Sequence, residues 1–395
     1  MYDYLIIGKG PLGSAAFRYL SQTGQPTAIL GPDEPTNPQQ YNGPFGAHYD
    51  AGRLAHHLVT TPLWTTLGTR AFHTYPQLEQ ASHIPFYTPS GGLHALHPRR
   101  DQAHLDALAH TSQQLNLPLT LLTPHQWATQ FPYLNFPPDY KLLWDPPPAG
   151  YLNPRQLIRA QLHLGQAAGG TIIPTIATHL DPKPTHLTIT TNNNQTYHAR
   201  RVLLATGAFT NHFNLLPQPL PLRLKTEQFV LAELSPTDMN QLHQTPTVNY
   251  QIDSPYIKDI YLVPPLTYPD GRHYLKLGAN THTDQTLTTY QQLLDWYQHG
   301  DSHTLLPPFQ DAVHELYPHL TIQSWRTGRC VITYTHHGQP YIDTLIPGQL
   351  YTAIGGNGRS AYPSDTLGHL AAQLVHHNHW TDPLPHHPFQ LPPNL

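Results

Sequence analysis

The chain is poor in cysteine and in charged residues, and both shortages narrow its class. Among its 395 residues there is one cysteine, Cys330, which excludes an internal disulfide and a zinc site made of cysteines. Lys, Arg, Asp and Glu make up 11% of the chain, against about 25% in an average globular domain. The formal net charge of -4 gives no basic footprint of the kind that binds nucleic acid. We therefore expect no nucleic-acid partner.

Long apolar segments are also missing. No stretch approaches the ~20 residues that a membrane span needs, and the N-terminus lacks the basic and apolar regions of a signal peptide. We therefore expect no membrane association and a cytoplasmic protein. The chain is instead rich in proline (43) and histidine (30). The histidines contain no HExxH pattern, and we interpret their clusters as solvated loop residues, so no metal site is expected.

The N-terminus carries a dinucleotide-binding fingerprint. Residues 2–8 form an apolar run typical of a buried parallel strand, and a complete GxGxxG follows. Its first glycine permits a tight turn, its second lets the backbone approach a pyrophosphate, and its third lets a helix pack closely on the sheet. A proline suits the first turn of that helix, whose free N–H groups attract phosphate. The predicted phosphate loop consists of Gly8, Gly10, Pro11, Leu12 and Gly13.

The residue that binds the ribose is less well defined. A second strand over residues 27–30 closes a βαβ unit, but Gly31 stands where an acidic residue is expected. Asp33 and Glu34 lie just beyond it, and the sequence leaves open which of them reaches the ribose. Asp33 is kept as the candidate.

Three further motifs follow along the chain. Gly150–Pro154 forms a turn before an amphipathic helix, and a later strand ends in a small-residue turn over residues 205–208. Near the C-terminus a strand leads into the glycine loop 355–358 and then into a helix, which Ser364 or Asp365 is expected to cap.

Two weaker expectations concern local structure. The spacing of leucines predicts one helix over residues 50–82. The tail after Trp380 is rich in proline and histidine and is expected to be loosely ordered.

In this order the four motifs resemble the D-amino-acid-oxidase-like flavoprotein superfamily, especially its monomeric sarcosine oxidase and glycine oxidase branches. The resemblance implies an α/β fold with FAD as cofactor. It implies a discontinuous Rossmann-like FAD-binding domain and an α+β substrate domain with a large, mostly antiparallel sheet. The expected segments are 1–84, 148–216 and 322–382 for the FAD-binding domain, 85–147 and 217–321 for the substrate domain, and 383–395 for the tail. An enzyme that uses only NAD fits less well, because the 205–208 turn and the glycine loop have no role there.

The resemblance also assigns residues around the flavin. Arg53 falls where the sarcosine oxidase branch has an arginine beside the isoalloxazine ring, and a fixed cation there favours the anionic reduced flavin. Lys276 matches the lysine that promotes oxygen reduction, and Tyr261 matches an active-site tyrosine. On a strand, Lys276 shares a face with Tyr274 and lies opposite Leu275. The alternatives are an arginine in a surface ion pair, a solvent-facing lysine and an ordinary core tyrosine. Further cofactor contacts are expected at Thr206, Gly207, Gly355, Gly356, Asn357 and Gly358.

The single cysteine has two interpretations. Cys330 begins a CxxTxT pattern, which resembles the surroundings of the cysteine that links flavin covalently in sarcosine oxidases. A thioether to the flavin 8-methyl carbon would tether FAD. The alternative is a small buried apolar residue with FAD bound non-covalently, and the sequence leaves both open.

Two departures from the family pattern concern the substrate. The arginine and the lysine that would hold the carboxylate of sarcosine fall on His56 and Tyr362. Arg359, in the same loop as Tyr362, offers a replacement cation. We therefore take His56, Arg359 and Tyr362 as the candidate substrate-binding residues, and sarcosine itself is not expected as substrate.

The resemblance implies an FAD-dependent oxidase of a small-molecule amine or amino acid. The C–N bond is oxidised to an imine, and molecular oxygen accepts the electrons and gives hydrogen peroxide. The alternatives are a dehydrogenase of the same fold that uses another acceptor, and a flavin-bound subunit without turnover. The sequence does not indicate the oligomeric state.

Overall fold

The computed structural model describes residues 1–300 and 303–393. The strands, numbered along the chain, are β1 (Tyr2–Ile7), β2 (Thr27–Leu30), β3 (Arg53–Ala55), β4 (Tyr87–Thr88), β5 (Gly92–Leu96), β6 (Thr120–Leu122), β7 (Lys141–Asp145), β8 (Gly150–Leu152), β9 (Thr171–Ile173), β10 (Ala177–Pro182), β11 (Leu187–Thr191), β12 (Thr196–Leu204), β13 (Leu222–Leu234), β14 (Thr247–Tyr250), β15 (Ile257–Thr267), β16 (His273–Thr281), β17 (Thr286–Leu287), β18 (Ser324–Thr335), β19 (Tyr341–Ile346) and β20 (Leu350–Ile354). The helices are α1 (Pro11–Ser21), α2 (Pro62–Ser82), α3 (Gln102–Leu115), α4 (Pro124–Gln130), α5 (Pro154–Ala167), α6 (Pro236–Leu242), α7 (Tyr290–His299), α8 (Leu306–Leu316) and α9 (Ser364–His377).

The first sheet is the Rossmann-like core that the sequence predicts. Its strand order is β10-β11-β12-β1-β2-β9, with β20 beside the end of β12 and β19 beside β20. β1 runs parallel to both β2 and β12, and β2 runs parallel to β9. The apolar run of β1 is buried because the strand is central, and Leu5 and Ile6 have no exposed surface. The carboxyl ends of β1 and β12 meet at Ile7 and Leu204, the edge at which open parallel sheets bind ligands.

The second sheet confirms the expected large, mostly antiparallel sheet. Its order is β17-β13-β16-β15-β14-β5-β7-β6, with β18 paired along β13. Among its described pairings β14 with β5 is parallel, and the others are antiparallel. One face packs against α4 and α8 in a large apolar core, which leaves the other face available for a site. A small third sheet, β3-β8-β4, pairs with neither of them, and its strand β3 packs against β15 of the second sheet.

The prediction of one helix over residues 50–82 is wrong in its first part. A strand, β3, lies there instead, and α2 begins only at Pro62, whose fixed φ suits a first helical turn. The chain between them is held by Asp145. Its Oδ2 accepts hydrogen bonds from the backbone N–H of His57 (3.2 Å) and of Leu58 (2.9 Å). Asp145 is remote in sequence from this segment, so the leucine spacing alone could not show that residues 53–58 are not helical.

The predicted cap of the C-terminal helix is also wrong. α9 begins at Ser364 as expected, but no side chain caps it. Asp365 is buried instead and accepts hydrogen bonds from Arg18 Nη2 (2.9 Å), Tyr19 Oη (2.9 Å) and Gln161 Nε2 (2.8 Å). Its carboxylate therefore joins α9 to α1 and α5 around the first sheet.

The tail is ordered up to residue 393, against the expectation. Phe389 is fully buried, and its ring centroid lies 5.3 Å from that of Trp380. His386 stacks on the same indole at 4.4 Å, and its Nε2 lies 2.9 Å from the Ile342 carbonyl oxygen. Packing of these aromatic residues thus orders the tail despite its many prolines. Residues 394 and 395 of the predicted tail, and 301 and 302 of the predicted substrate domain, lie outside the described residues.

We propose that the two large sheets mark the two domains. The strands of the first sheet all fall within the segments predicted for the FAD-binding domain. β18 falls within segment 322–382, which was predicted for the FAD-binding domain, and yet it pairs with the second sheet. We therefore propose that residues 324–335 belong to the domain of the second sheet.

Candidate active site

The phosphate loop has the backbone geometry that its glycines predict. Gly8 has a φ of +114°, and a Cβ there would lie 2.3 Å from the Ala205 carbonyl oxygen. A Cβ at Gly13 would lie 1.9 Å from the Gly8 carbonyl oxygen, so only glycine lets α1 start this close to the sheet. A Cβ at Gly10 would contact only His48, at 3.9 Å, among the described residues. This open backbone at the start of a helix fits the pyrophosphate of a dinucleotide.

The small-residue turn after β12 lies directly beside this loop. The N–H of Ala205 donates to the Ile7 carbonyl oxygen (2.8 Å), which ties the ends of β12 and β1 together. Gly207 has a φ of +56° and begins a single helical turn, Gly207–His212. The hydroxyls of Thr206 and Thr210 lie 2.9 Å apart inside that turn.

The glycine loop after β20 connects the two large sheets. Gly355, Asn357 and Gly358 all have positive φ angles. The Asn357 N–H donates to the Thr333 carbonyl oxygen (2.9 Å), and its side-chain Oδ1 accepts from the Thr335 N–H (3.0 Å). Asn357 therefore anchors the loop on the end of β18, and the backbone of its glycines faces the cavity described next.

A cavity of about 830 Å³ lies between these three loops and one face of the second sheet. It is large enough for a cofactor together with a small substrate. Most of the predicted site residues line it: Gly8, Gly10, Pro11, Leu12, Arg53, His56, Thr206, Gly207, Tyr261, Cys330, Gly355, Gly356, Asn357, Gly358, Arg359 and Tyr362. Three predicted residues do not line it: Gly13, Asp33 and Lys276.

The two acidic residues considered for the ribose both hold ion pairs. Asp33 pairs with Lys9, and its side chain is 76% exposed. Glu34 accepts a hydrogen bond from Arg155 Nε at 2.8 Å. Neither carboxylate lines the cavity, so a contact of Asp33 with the ribose stays a prediction. Lys9 does line the cavity; it occupies a variable position of the GxGxxG pattern, where the motif gave no signal for it.

Arg53 is held at the cavity by its neighbours in sequence. Its Nη2 donates to the Ala47 carbonyl oxygen (2.7 Å), and its Nη1 donates to the Gly52 carbonyl oxygen (3.0 Å) and forms an ion pair with Asp50. The side chain is 19% exposed, so the interpretation as an exposed surface pair does not apply. A fixed guanidinium with one edge at the cavity suits a site where negative charge develops.

Lys276 lies behind Arg53 rather than on the cavity. It has no exposed surface, pairs with Asp50 and donates to the Gly52 carbonyl oxygen (3.0 Å). Its Nζ lies 4.5 Å from the centre of the Phe229 ring and 5.2 Å from that of Tyr261. Burial, reinforced by the charge of Arg53, lowers the pKa of Lys276. The solvent-facing alternative is excluded, and any effect of Lys276 on the cavity passes through its neighbours.

Asp50 is a residue that the sequence reasoning missed. It is 2% exposed, and its Oδ1 also accepts a hydrogen bond from Tyr268 Oη (2.8 Å). One carboxylate therefore serves two cations and a phenol. Nothing in its local pattern distinguishes it from other acidic residues, because Lys276 and Tyr268 are remote in sequence.

Tyr261 and Cys330 lie on the face of the second sheet that lines the cavity. The Tyr261 ring covers Gly278 on the neighbouring strand, where a Cβ would lie 2.1 Å from the ring. Burial raises the pKa of Tyr261, which keeps its phenol neutral. The Cys330 sulfur is half-buried at the cavity, 4.0 Å from Arg53 Nη2. Both the linking thiol and the simple lining residue remain compatible with this position.

The predicted substrate residues gather in one part of the cavity wall. His56 Nε2 lies 3.2 Å from Asn249 Nδ2, and its ring centroid lies 6.1 Å from that of Tyr362. Burial lowers the pKa of His56, so its ring is neutral at pH 7. The Tyr362 hydroxyl has no hydrogen-bond partner among the described residues. Arg359 has no ion-pair partner there either, and its Nη1 lies 3.5 Å from Thr61 Oγ1. Within the described chain this wall therefore offers one cation without an ion-pair partner, and beside it lies a buried hydroxyl without a hydrogen-bond partner.

Several polar residues of this cavity were not predicted as site residues, among them His94, His104, Asn249, Glu227 and Asp259. One of them had a signal. Arg223, Lys225 and Glu227 are charged residues at alternate positions of strand β13, which predicts that their side chains point to one polar face.

The described part of the chain contains neither a cluster of metal-ligating side chains nor a membrane-spanning helix. No group of three metal-ligating side chains is close enough to hold a metal ion. No helix there is long and apolar enough to cross a lipid bilayer.

The comparisons with known proteins agree with this geometry. The model of the FAD dependent oxidoreductase family (DAO) matches residues 3–374. Monomeric sarcosine oxidase from Bacillus sp. (strain B-0618) is 23% identical over 212 residues, 53% of this chain and 52% of that protein. N-methyl-L-tryptophan oxidase from Salmonella heidelberg (strain SL476) is 28% identical over 210 residues, 53% of this chain and 54% of that protein. The chain thus spans about half the length of the curated relatives it matches.

Solved structures with a similar fold match over nearly the whole chain. NikD, an amino acid oxidase essential for nikkomycin biosynthesis, superimposes with a TM-score of 0.78 at 18% identity, covering 99% of this chain and 97% of that one. Glycine oxidase from Geobacillus kaustophilus gives a TM-score of 0.73 at 18% identity, covering 100% and 99%. The family match and the glycine cradle together lead to one conclusion: the chain belongs to the FAD dependent oxidoreductase family, and its cofactor is FAD.

Proposed function

We propose that the protein is an FAD-dependent oxidase of a small amine or amino acid. The observation that carries this proposal is that Arg359, Tyr362 and His56 line the same cavity as the phosphate loop, the turn after β12 and the glycine loop after β20. A cation and a hydroxyl without protein partners suit a polar substrate next to a redox cofactor. Relatives named as oxidases of N-methylated amino acids support the same substrate class.

The chemistry that FAD supplies when bound is acceptance of two electrons from a C–N bond and their transfer to oxygen, which gives hydrogen peroxide. The residues of the chain bind and orient the substrate. Arg359 holds a carboxylate, and Tyr362 forms part of the cavity wall beside it. The substrate amine binds in its neutral form, because a lone pair must assist the loss of hydride. The imine that results is hydrolysed by water.

Arg53 is proposed to act on the cofactor rather than on the substrate. Its guanidinium is fixed by backbone carbonyls and by Asp50, so it meets developing negative charge without rearrangement. Cys330, on the same part of the wall, is our candidate for a thioether link to the cofactor.

Sarcosine is not the proposed substrate. The resemblance places two cations around the carboxylate of sarcosine, and in this chain His56, which burial keeps neutral, and Tyr362 stand at those two positions. Arg359 alone suits a larger substrate that gains binding energy elsewhere in the cavity.

A second candidate is a dehydrogenase that passes electrons to an acceptor other than oxygen. The observation that favours it is the position of Lys276, which lies off the cavity and shares Asp50 with Arg53. This arrangement leaves less positive charge for oxygen activation than a lysine on the cavity wall.

One experiment separates these functions. Purified holoprotein is mixed with a panel of amines, N-methyl amino acids and free amino acids of both hands without oxygen, and the flavin absorbance is followed. Bleaching by any compound supports substrate oxidation. Hydrogen peroxide formed under air then supports the oxidase, and bleaching with slow peroxide formation supports the dehydrogenase. A flavin that dithionite bleaches but no compound of the panel does would contradict the proposed function.

A further inference from the structure

The polar face of the second sheet carries two carboxylates that line the cavity. Glu227 on β13 and Asp259 on β15 are bridged by Lys225 and Asn280. Lys225 Nζ donates to Glu227 Oε2 (2.8 Å) and to Asn280 Oδ1 (2.7 Å), and Asn280 Nδ2 donates to Asp259 Oδ1 (2.7 Å). This chain of hydrogen bonds fixes both carboxylates at the wall.

In each of these two carboxylates, one oxygen accepts no hydrogen bond from the described residues. Among the described residues, no group donates a hydrogen bond to Glu227 Oε1 or to Asp259 Oδ2. Glu227 is only 5% exposed, so water can reach its free oxygen essentially through the cavity alone. Neither oxygen belongs to the buried atoms that lack a hydrogen-bond partner, so both have surface that a ligand in the cavity can reach, and both can accept a hydrogen bond from it.

The local charge is negative. Lys225 also donates to Asp284 Oδ2 (2.7 Å), so one ammonium pairs directly with two carboxylates, and the third, that of Asp259, is linked to it only through Asn280. The remaining titratable group that acts on Asp259 is His104, and burial lowers the pKa of His104 and keeps its ring neutral. Burial raises the pKa of Glu227 to about 7 and also raises that of Asp259, and in both cases this effect outweighs the charge of Lys225, which lowers the pKa.

The same cavity has the opposite charge near the glycine loop. Arg359 lacks an ion-pair partner there among the described residues, and the buried Tyr362 hydroxyl, in a residue only 1% exposed, has no hydrogen-bond partner. The cavity is therefore dipolar: Arg359 and Tyr362 at one wall, Glu227 and Asp259 at another.

Building on the proposed function, we propose that the substrate is an amino acid whose side chain ends in a cation, an ammonium or a guanidinium. Its carboxylate pairs with Arg359, and its terminal cation pairs with Glu227 and Asp259. Donors of such a group satisfy both free oxygens and balance the charge, which a neutral side chain cannot do.

The test compares ligands that differ only in this charge. Guanidinobutyrate and guanidinovalerate are titrated into the holoenzyme beside their uncharged ureido isosteres, and the dissociation constants are read from the perturbation of the flavin spectrum. We expect the guanidino member of at least one pair to bind about tenfold more tightly or better. Equal binding within both pairs would overturn the proposal.

Variants locate the effect. E227Q and D259N are each expected to bring the ratio within a pair to about threefold or less, since each removes one charge of a pair. D295N removes an exposed carboxylate on α7, away from the cavity, and is expected to keep the wild-type ratio. A ratio that survives both cavity variants contradicts the assignment, and a variant that loses its flavin is replaced by the other one.

Turnover provides the second measurement. Lysine and norleucine, and arginine and citrulline, are compared as substrates in both hands, and kcat/KM is expected to favour the cation by about tenfold. The readouts also separate the two proposals. Failure of every compound to reduce the flavin contradicts the proposed function, whereas equal binding of the guanidino and ureido isosteres contradicts only the inference of a cationic side chain.

Discussion

Lys276 and Asp50 lie 226 positions apart in the chain and form an ion pair in which both side chains are buried. The same carboxylate also pairs with Arg53 at the cavity. The carboxylate offsets positive charge that Arg53 and Lys276 place beside the cavity. Asp50 thus holds Arg53 in place and reduces the positive charge that the cavity experiences.

The first prediction concerns that carboxylate. D50N leaves the buried Lys276 without its counter-ion and removes the carboxylate that pairs with Arg53 at the cavity, and removing one partner of a buried pair costs about 3–5 kcal/mol. We expect a loss of that order in the free energy of unfolding by denaturant. K276M in the same background removes one of the cations, so the double variant is expected to lose at least ~1 kcal/mol less than the sum of the single losses. Additive losses would show that the two residues do not interact.

The second prediction concerns substrate anchoring. R359M removes the free cation of the cavity, and a charge-assisted hydrogen bond contributes about 1.5–3 kcal/mol. KM for substrates with a carboxylate should therefore rise by roughly tenfold to a hundredfold, while amines without a carboxylate should be affected little. R200M, which removes an exposed arginine paired with Asp3, is the control. A loss that is equal for both substrate classes would argue against carboxylate binding.

The third prediction concerns pH. Burial raises the pKa of Glu227 to about 7, so its carboxyl is neutral below that pH and charged above it. Binding of guanidinobutyrate should tighten by about tenfold between pH 6 and pH 8, and E227Q should abolish most of this dependence. The charged groups that act on Glu227 are Lys225, Asp284 and Asp259. Glu227 also acts on Tyr261, Lys276 and Tyr334, which lie on other strands of the same sheet. Binding that weakens as the pH rises would give the opposite sign and contradict the prediction.

The fourth prediction concerns stability. Burial raises the pKa of Asp145 from 3.8 to about 7, so between these values the folded protein binds a proton that the unfolded chain has lost. Stability from this group is therefore lost as the pH rises from about 4 to about 7, by at most about 1.4 kcal/mol per pH unit.

D145N tests this sign. An amide oxygen can still accept from the His57 and Leu58 N–H groups, so the variant is expected to fold. Its free energy of unfolding, measured against pH, should rise relative to wild type as the pH increases over this range. Parallel curves would mean that the Asp145 carboxyl titrates alike in both states.

The fifth prediction concerns the link to the cofactor. With Cys330 bonded to FAD, acid precipitation should leave the yellow colour in the pellet, and C330S should release it into the supernatant. Absorbance of both fractions is the measurement. Complete release from the wild type would assign a non-covalent cofactor and leave Cys330 as a lining residue.

The features that the sequence predicted well are those that short stretches of chain decide. Gly8 and Gly13 were identified because only glycine avoids a clash at a tight turn and at a close helix–sheet contact. The shared face of Tyr274 and Lys276, opposite Leu275, followed from the alternation of a strand, and the large core contains Leu275 but neither of the others. In each case the physical cause lies within a few residues of the position concerned.

What the sequence by itself determined was therefore the dinucleotide loop, the family and the two-sheet architecture. Tertiary structure alone decided that Asp50 meets Lys276, that Asp145 holds the segment where a helix was predicted, and that Glu227 and Asp259 share a wall with Arg359. These partners come from separate strands and loops whose registers bring them together. Their charges act on one another only after burial removes the water that would otherwise screen them.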